Sequence, residues 1–221
     1  MNDPFGAALG DWAAGRHAPL HLRSRAGRLA AHDLGPYFAP LGRAELWLMG
    51  LAAGPVVDVG CGPARHARHL QAAGLRAVGL DTSAGALATA RALGLRLAVQ
   101  ADALTGPIPA GFGTALLLDG NVGMGGSPAG AAALLARLAG AAGDGARLLV
   151  GGRAPRGRRP WRRLVLRAEY LGRAGPWFDW LVPSLATLTA MAAAAGWRPE
   201  QARRDGHGYL ASFRLAARGR Q

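Results

Sequence analysis

The sequence predicts an α/β fold: a doubly wound, mostly parallel sheet of seven strands, closed by a C-terminal antiparallel hairpin. Three observations predict it. Between residues 55 and 151, short apolar runs alternate with helix-patterned segments, the signature of parallel strands joined by helical crossovers. The apolar runs are continuous rather than alternating, as in strands covered on both faces. The last two extended segments, "WRPEQARR" and "YLASFRLAA", are joined only by "DGHG", which fits a hairpin and is too short for a crossover.

The elements follow in order. Residues 1–54 form an N-terminal helical and hairpin cap: "LHLRSRAGRL" turns around Arg-Ala-Gly, and residues 39–53 read as an amphipathic helix. Residues 55–221 form the main domain. "PVVDVG" is its first strand, and "PARHARHLQAAG" the helix that Gly74 ends. "LRAVGLD" is the second strand, followed by a helix opened by Ser83 and closed by Gly94. "LRLAVQAD" and "GTALLLDG" are the third and fourth strands. Ser127 then caps a helix with Pro128 at its first position. "ARLLVGG" is the fifth strand. The regular alternation breaks at residues 153–183, which are dense in Arg and hold three of the six Trp. Trp161, Leu164, Val165 and Ala168 fall at helical spacing there, so this insertion reads as a helical and loop lid after the fifth strand. Ser184 caps the last helix, which runs to Gly196.

Composition narrows the function classes. Half of the 221 residues are hydrophobic, ample for a buried core. The single cysteine, Cys61, excludes an internal disulfide and a Cys-based zinc cluster, and no metal site is expected. "MNDPFGAALGDW" lacks the apolar core of a secretory signal, and no apolar run approaches the ~20 residues of a membrane span. The expectation is a cytoplasmic monomer or homodimer without a membrane partner. The net charge of +13 favours anionic partners, an anionic acceptor among them. All 26 basic residues are Arg, in a chain rich in Ala, Gly and Leu. A GC-rich coding sequence gives that bias without any role in gripping nucleic acid, so no specific nucleic-acid partner is expected.

Only 13 residues are acidic, yet Asp58, Asp81, Asp102 and Asp119 each fall in or at the end of one of the first four strands. In an open parallel sheet, ligands bind beyond the carboxyl ends of the strands. Asp81 lies about 20 residues past the Gly60-Cys61-Gly62 turn, where a carboxylate accepts both hydroxyls of an adenosine ribose. Asp102 is placed to accept from an adenine amino group, with the Ala103 backbone against the ring. Gly60 and Gly62 let the backbone approach the ligand closely. Asp58 separates two cofactors. It would repel a pyrophosphate and attract the ammonium and sulfonium of S-adenosylmethionine. Arg65, moreover, stands where a dinucleotide fingerprint has its third glycine.

The segments "VVDVGCGPARHARHL", "VGLDTSAGALATARA", "VQADAL" and "GTALLLDGNVGMGG" resemble the ordered motifs of class I S-adenosylmethionine-dependent methyltransferases. "DGNVGMGG" before a Pro-started helix is similar to a group of actinobacterial members, many without an assigned substrate. The resemblance covers residues 55–151 and implies a Rossmann-like fold with S-adenosylmethionine as donor and S-adenosylhomocysteine as product. It implies Asp58, Gly60, Gly62, Asp81, Asp102 and Asp119 as donor contacts, with Cys61, Thr82 and Gly120 beside them. Pro63-Ala64 departs from the Gly-x-Gly that many members carry.

"LDGNVG" lacks the proline and aromatic of enzymes that methylate base amines, and Cys61 sits inside the turn rather than free as a nucleophile for cytosine. The expected reaction is O- or N-methylation of a small molecule by in-line displacement, as in natural-product biosynthesis. The alternatives are a nicotinamide-dependent oxidoreductase, a non-catalytic S-adenosylmethionine-binding domain, or an RNA or protein methyltransferase. His207, Tyr209 and Asp179 are the candidate bases. Trp177, Phe178 and Trp180 are the candidate walls of the acceptor pocket.

Overall fold

The computed structural model describes residues 3–206 and 208–216. Its main sheet has seven strands, in the order Trp197–Asp205, Gly208–Leu215, Ala142–Arg153, Phe112–Leu117, Val56–Val59, Ala77–Asp81 and Leu97–Gln100. Five of them pair in parallel: β3 (Val56–Val59), β4 (Ala77–Asp81), β5 (Leu97–Gln100), β6 (Phe112–Leu117) and β7 (Ala142–Arg153). The hairpin β11 (Trp197–Asp205) and β12 (Gly208–Leu215) joins β7 antiparallel. All four residues of β3 are buried, as a strand covered on both faces requires.

Three of the helices that pack on this sheet start at a serine whose side chain caps them. Ser83 Oγ accepts from the Ala86 amide at 2.9 Å and opens α5 (Ala84–Ala92). Ser127 does the same for α6 (Pro128–Ala141), and Ser184 for α7 (Leu185–Ala194). One core lies between the sheet and α6 and α7, around Leu134, Leu135, Leu188 and Trp197. A second lies on the opposite face, under α3 (Arg43–Met49), α4 (Arg65–Ala72) and α5. The helix expected over residues 39–53 is therefore only the seven residues of α3. Gly42 precedes it, with its amide donating to Glu45 Oε2 at 2.8 Å, and Gly50 ends it.

The insertion is the main departure. Residues 161–170 form a strand, β8 (Trp161–Tyr170), where a helix was expected. With β10 (Phe178–Pro183), and β9 (Arg173–Ala174) at its end, β8 builds a second, antiparallel sheet. Its other two strands come from the N-terminal hairpin, β1 (Leu20–Ser24) and β2 (Leu29–His32), in the order β10-β8-β1-β2. The apolar residues of this short run fit a period of two as well as helical spacing. Backbone partners decided between the two: β1 on one side and β10 on the other take up the hydrogen bonds of β8.

The registers assign its faces. Leu22 opposes Ala168, Phe178 opposes Leu166, and Trp180 opposes Leu164, so these side chains share one face with Leu20, His32 and Tyr170. That face packs on α1 (Pro4–Ala13), where Ala8 and Leu9 are buried against Leu20, Ala168 and Tyr170. The opposite face carries Arg23, Arg163, Arg167 and Glu169.

Helix α1 in turn crosses α5 at Gly6 and Gly85. Asp3 caps α1 through the Gly6 amide (2.8 Å) and accepts from Ser83 Oγ (2.6 Å). A Cβ on Gly85 would lie 2.9 Å from the backbone carbon of Gly6. Gly85→Val should therefore push α1 away and cost ~1–3 kcal/mol, the scale of forced overpacking. Urea unfolding checks this; an unchanged midpoint would mean that the crossing is not tight.

Candidate active site

The glycine turn between β3 and α4 forms the floor of the site. The Gly60 and Cys61 amides both donate to the Leu80 carbonyl, at 2.7 and 3.2 Å. From the other side, Asn121 Nδ2 donates to the carbonyls of Val59 (2.9 Å) and Gly60 (2.8 Å). Asn121 opens a short 3₁₀ helix, Asn121–Gly125, just past the end of β6. The turn thus holds the ends of β3, β4 and β6 together. Gly60 and Gly62 have φ of 71° and 55°, and a Cβ on Gly60 would lie 2.8 Å from Asn121 Nδ2. Ala64 also takes a left-handed φ of 59°. It stands where many members of the resembled class have glycine, so the turn keeps its shape with a strained alanine.

The strand-end acids converge on this edge. Asp58 is 2% exposed and accepts from the Ala67 amide at 3.3 Å, on the first turns of α4. Burial pushes its carboxyl up to about 6. Asp81 spans the turn: Oδ2 accepts from the Gly62 amide and Oδ1 from the Ser83 amide, each at 2.9 Å, and burial raises its carboxyl too. Each oxygen keeps a lone pair for a ligand hydroxyl. Asp102 accepts from the Leu104 amide (2.8 Å) and the Thr105 hydroxyl (3.2 Å), ordering the loop after β5. Asp119 is half-exposed with a left-handed φ of 53°, and Gly120 follows at 85°.

Three neighbouring residues of the expected donor site make contacts within the fold. The Cys61 side chain is buried toward Gly79 of β4, and burial pushes its thiol up, so only its backbone serves the turn. The Ala103 side chain is buried and its carbonyl accepts from Arg137 Nε at 2.9 Å. Thr82 is exposed, and its carbonyl accepts from Gln100 at 3.1 Å.

Sequence reasoning missed the residues that surround the turn from above. Arg65, at the start of α4, pairs with Glu45 of α3 and reaches Asp119 at 3.6 Å. Burial works against the charge of Glu45, but hydrogen bonds from His66 and the Gly42 amide, with the Arg65 charge, hold its carboxyl at about 2. Tyr37, on the short helix α2 (Gly35–Phe38), reaches the other side of the turn: a Cβ on Gly62 would sit 4.0 Å from its ring. The Tyr37 hydroxyl lies 2.9 Å from His32 Nε2. "DGNVG" directly after a strand was a signal for Asn121. Nothing local marked Tyr37, His32 or Glu45.

The second sheet reaches this edge through β10. A Cβ on Gly123 would lie 2.5 Å from Trp180 Nε1, so Trp180 rests directly on the 3₁₀ helix. Phe178 packs edge-on against Trp180, with ring centroids 6.2 Å apart. Trp177 is separated from both. Its ring is covered by Arg167 at 4.8 Å and Arg25 at 5.7 Å, and Arg167 belongs to the sheet's charged face. Of the three expected pocket walls, Phe178 and Trp180 share the face that rests on the site, and Trp177 does not.

The candidate bases are likewise divided. Asp179 is exposed, and Arg163 binds both its oxygens at 2.8 and 2.9 Å, which holds its carboxyl below the usual range and makes it a poor base. Tyr209 is buried, its hydroxyl donates to the Pro183 carbonyl at 3.2 Å, and burial pushes its phenol pKa well above the ordinary value. Both are engaged within the fold. His207 lies outside the described residues.

Residues 56–119 match a family model described as a methyltransferase domain. By that likeness this segment, less than a third of the chain, is similar to a methyltransferase domain. The match spans the glycine turn and all four strand-end acids. No curated protein matches the sequence. The fold of the whole chain is similar to that of an S-adenosylmethionine-dependent methyltransferase from Bacteroides fragilis, solved with S-adenosylhomocysteine. The TM-score is 0.85 at 24% identity, over 97% of this chain and 95% of that one. The CcbJ methyltransferase of Streptomyces caelestis matches over 98% of this chain and 100% of its own, with TM-score 0.67 and 15% identity. The 1,6-didemethyltoxoflavin-N1-methyltransferase of Burkholderia thailandensis, bound to 1,6-didemethyltoxoflavin and S-adenosylhomocysteine, matches over 78% of both chains, with TM-score 0.59 and 18% identity. The likeness to the first two includes the N-terminal cap and the second sheet, because it runs over nearly the whole chain. No helix among the described residues is long and apolar enough to cross a membrane.

Asn121→Ala would strip the donor from two backbone carbonyls of the methyltransferase domain's turn. The expected loss is ~1–3 kcal/mol of stability, the cost of unsatisfied polar groups. It should show in chemical unfolding and as weaker binding of S-adenosylhomocysteine by calorimetry. Wild-type values in both would mean that the turn holds its shape without the clamp.

Proposed function

We propose that the protein transfers the methyl group of S-adenosylmethionine to a small molecule, at an O or N atom, by in-line displacement. The observation that carries this reading is the convergence of Asp58, Asp81, Asp102 and the glycine turn on one sheet edge, with Phe178 and Trp180 on the face of the second sheet that rests there. The residues fit the donor. Asp81, tied to the Gly62 and Ser83 amides, offers free lone pairs to the ribose hydroxyls. Asp102 holds the loop that would flank the adenine. Asp58 supplies negative charge below the methionine ammonium. When bound, the donor supplies an electrophilic methyl on a cationic sulfur, and the protein's task is to place the acceptor in line and keep water out. The Burkholderia thailandensis and glycopeptide N-methyltransferase relatives, by their descriptions, act on acceptors of this kind.

Two measurements test the donor half. S-Adenosylhomocysteine should bind and NADH should not, and Asp81→Ala should weaken the former by ~1.5–3 kcal/mol, the scale of hydrogen bonds to a charged group. Equal affinity of wild type and variant removes the ribose assignment.

The second is a pH dependence. Asp58 loses its proton near pH 6 in the folded protein. A cationic ligand binds the ionised form better, so affinity for S-adenosylmethionine should rise between pH 5 and pH 7 and then level off. Asp58→Asn should bind more weakly and with no such rise. Calorimetric titration across that range decides it, and a variant that keeps the full rise would assign it to another group.

A further inference from the structure

The candidate bases drawn from the C-terminal half are engaged elsewhere or lie outside the described residues, which leaves the acceptor's proton without a destination. The N-terminal cap supplies one. His32 ends β2 on the face of the second sheet that packs on α1, and Tyr37 follows on α2. Their side chains meet at 2.9 Å, Nε2 to hydroxyl. Phe5 of α1 packs against both, with ring centroids at 5.7 Å from His32 and 5.9 Å from Tyr37. This fixes the pair in orientation. The Tyr37 ring borders Gly62, and its hydroxyl feels the charges of Asp119 and Arg65, so the pair stands at the donor turn itself.

We propose that Tyr37 and His32 are the catalytic pair that takes the acceptor's proton during methyl transfer. The proposal rests on the methyl-transfer reading above and deepens it: the acceptor atom is an oxygen or nitrogen that must lose a proton. The bond from the acceptor atom to the methyl carbon forms as the carbon–sulfur bond breaks, and that bond's electron pair stays on sulfur. The acceptor's O–H or N–H gives its proton to the Tyr37 oxygen. Tyr37 gives its own hydroxyl proton to His32 Nε2, leaving an imidazolium, and no oxidant or further reactant is needed. The relay requires an imidazole that is neutral beforehand, with its proton on Nδ1.

The surroundings favour that state. Burial, with the charge of Arg153, holds the His32 imidazole below its ordinary value, against the opposing charge of Asp33. Burial and Asp119 push the Tyr37 phenol up, and Arg65 opposes them. Tyr37 therefore keeps its proton at neutral pH, and serves as a relay rather than as a standing phenolate.

The test uses the full chain, tritiated S-adenosylmethionine and, as acceptor probe, the low-mass filtrate of an extract from cells lacking the gene. Tyr37→Phe keeps the ring against Phe5, and His32→Gln keeps a hydrogen-bond partner for the phenol. Both should lower methyl transfer ~100-fold or more, the contribution of a general base. S-Adenosylhomocysteine affinity should stay within ~threefold of wild type. The wild-type rate should fall on the acid side with the titration of His32, read separately from its ring proton by NMR. This limb should vanish in His32→Gln, and the NMR titration should move in Tyr37→Phe. Full activity in either variant, or an unchanged acid limb in His32→Gln, overturns the proposal while leaving the donor reading intact. Wild type that binds S-adenosylhomocysteine yet labels nothing in the filtrate overturns the small-molecule reading, and the proposal with it. Wild type that fails to bind S-adenosylhomocysteine overturns the donor assignment itself.

Discussion

Everything in this protein hangs on a backbone turn that has to present itself to a ligand and still hold its shape. The five residues from Gly60 to Ala64 leave β3 and enter α4 with three left-handed φ angles. Such a turn has little side-chain bulk to pack, so its shape comes from hydrogen bonds made to it. Two of its amides converge on Leu80, at the end of β4. Two carbonyls are taken by Asn121, beyond the end of β6. Asp81 binds a third amide. Three neighbouring strands are thereby brought to one point, and the acids at their ends are brought with them. The parallel sheet supplies the rigid frame, and the turn makes it a site.

The second constraint is that the edge must be covered. A chain whose helices and strands simply alternate leaves the carboxyl ends of its strands open. Here the cover is a sheet built from two distant pieces, with β1 and β2 from before the main domain and β8 and β10 from after its fifth strand. Neither piece is stable alone as a short hairpin in water. Together they bury Leu20, Ala168 and Tyr170 against α1, and α1 is itself fastened to α5 by Asp3, Gly6 and Gly85. The N-terminal segment thus reaches the glycine turn through Tyr37.

Charge is distributed in the same sense. The chain has twice as many basic as acidic residues, 26 against 13, yet the cleft edge collects Glu45, Asp58, Asp81 and Asp119. Arg65 stands among them and takes Glu45 and Asp119 as partners. On the outer face of the second sheet, Arg23, Arg163 and Arg167 pair with Glu169 or Asp179. A basic surface around an acidic sheet edge favours anionic partners outside and a cationic group at the edge.

The sequence by itself determined the seven-stranded sheet, the caps at Ser83, Ser127 and Ser184, the terminal hairpin and the placing of Asp58, Asp81 and Asp102 at one edge of the sheet. Each of these is a local matter: a run of apolar residues, a capping hydroxyl, a glycine turn or an acid at a strand end shows itself within a few positions. Tertiary structure decided the rest. Residues 161–170 carry a pattern that a helix and a strand satisfy equally, and only pairing with β1, some 140 residues earlier, made them a strand. The same pairing sent Trp180 toward the glycine turn and Trp177 to the opposite face, though the two are neighbours in sequence. It also brought Tyr37, with His32 hydrogen-bonded to it, against a turn that begins more than twenty residues later. Nothing local encodes such contacts, because they depend on which distant strand completes the hydrogen bonds of an edge.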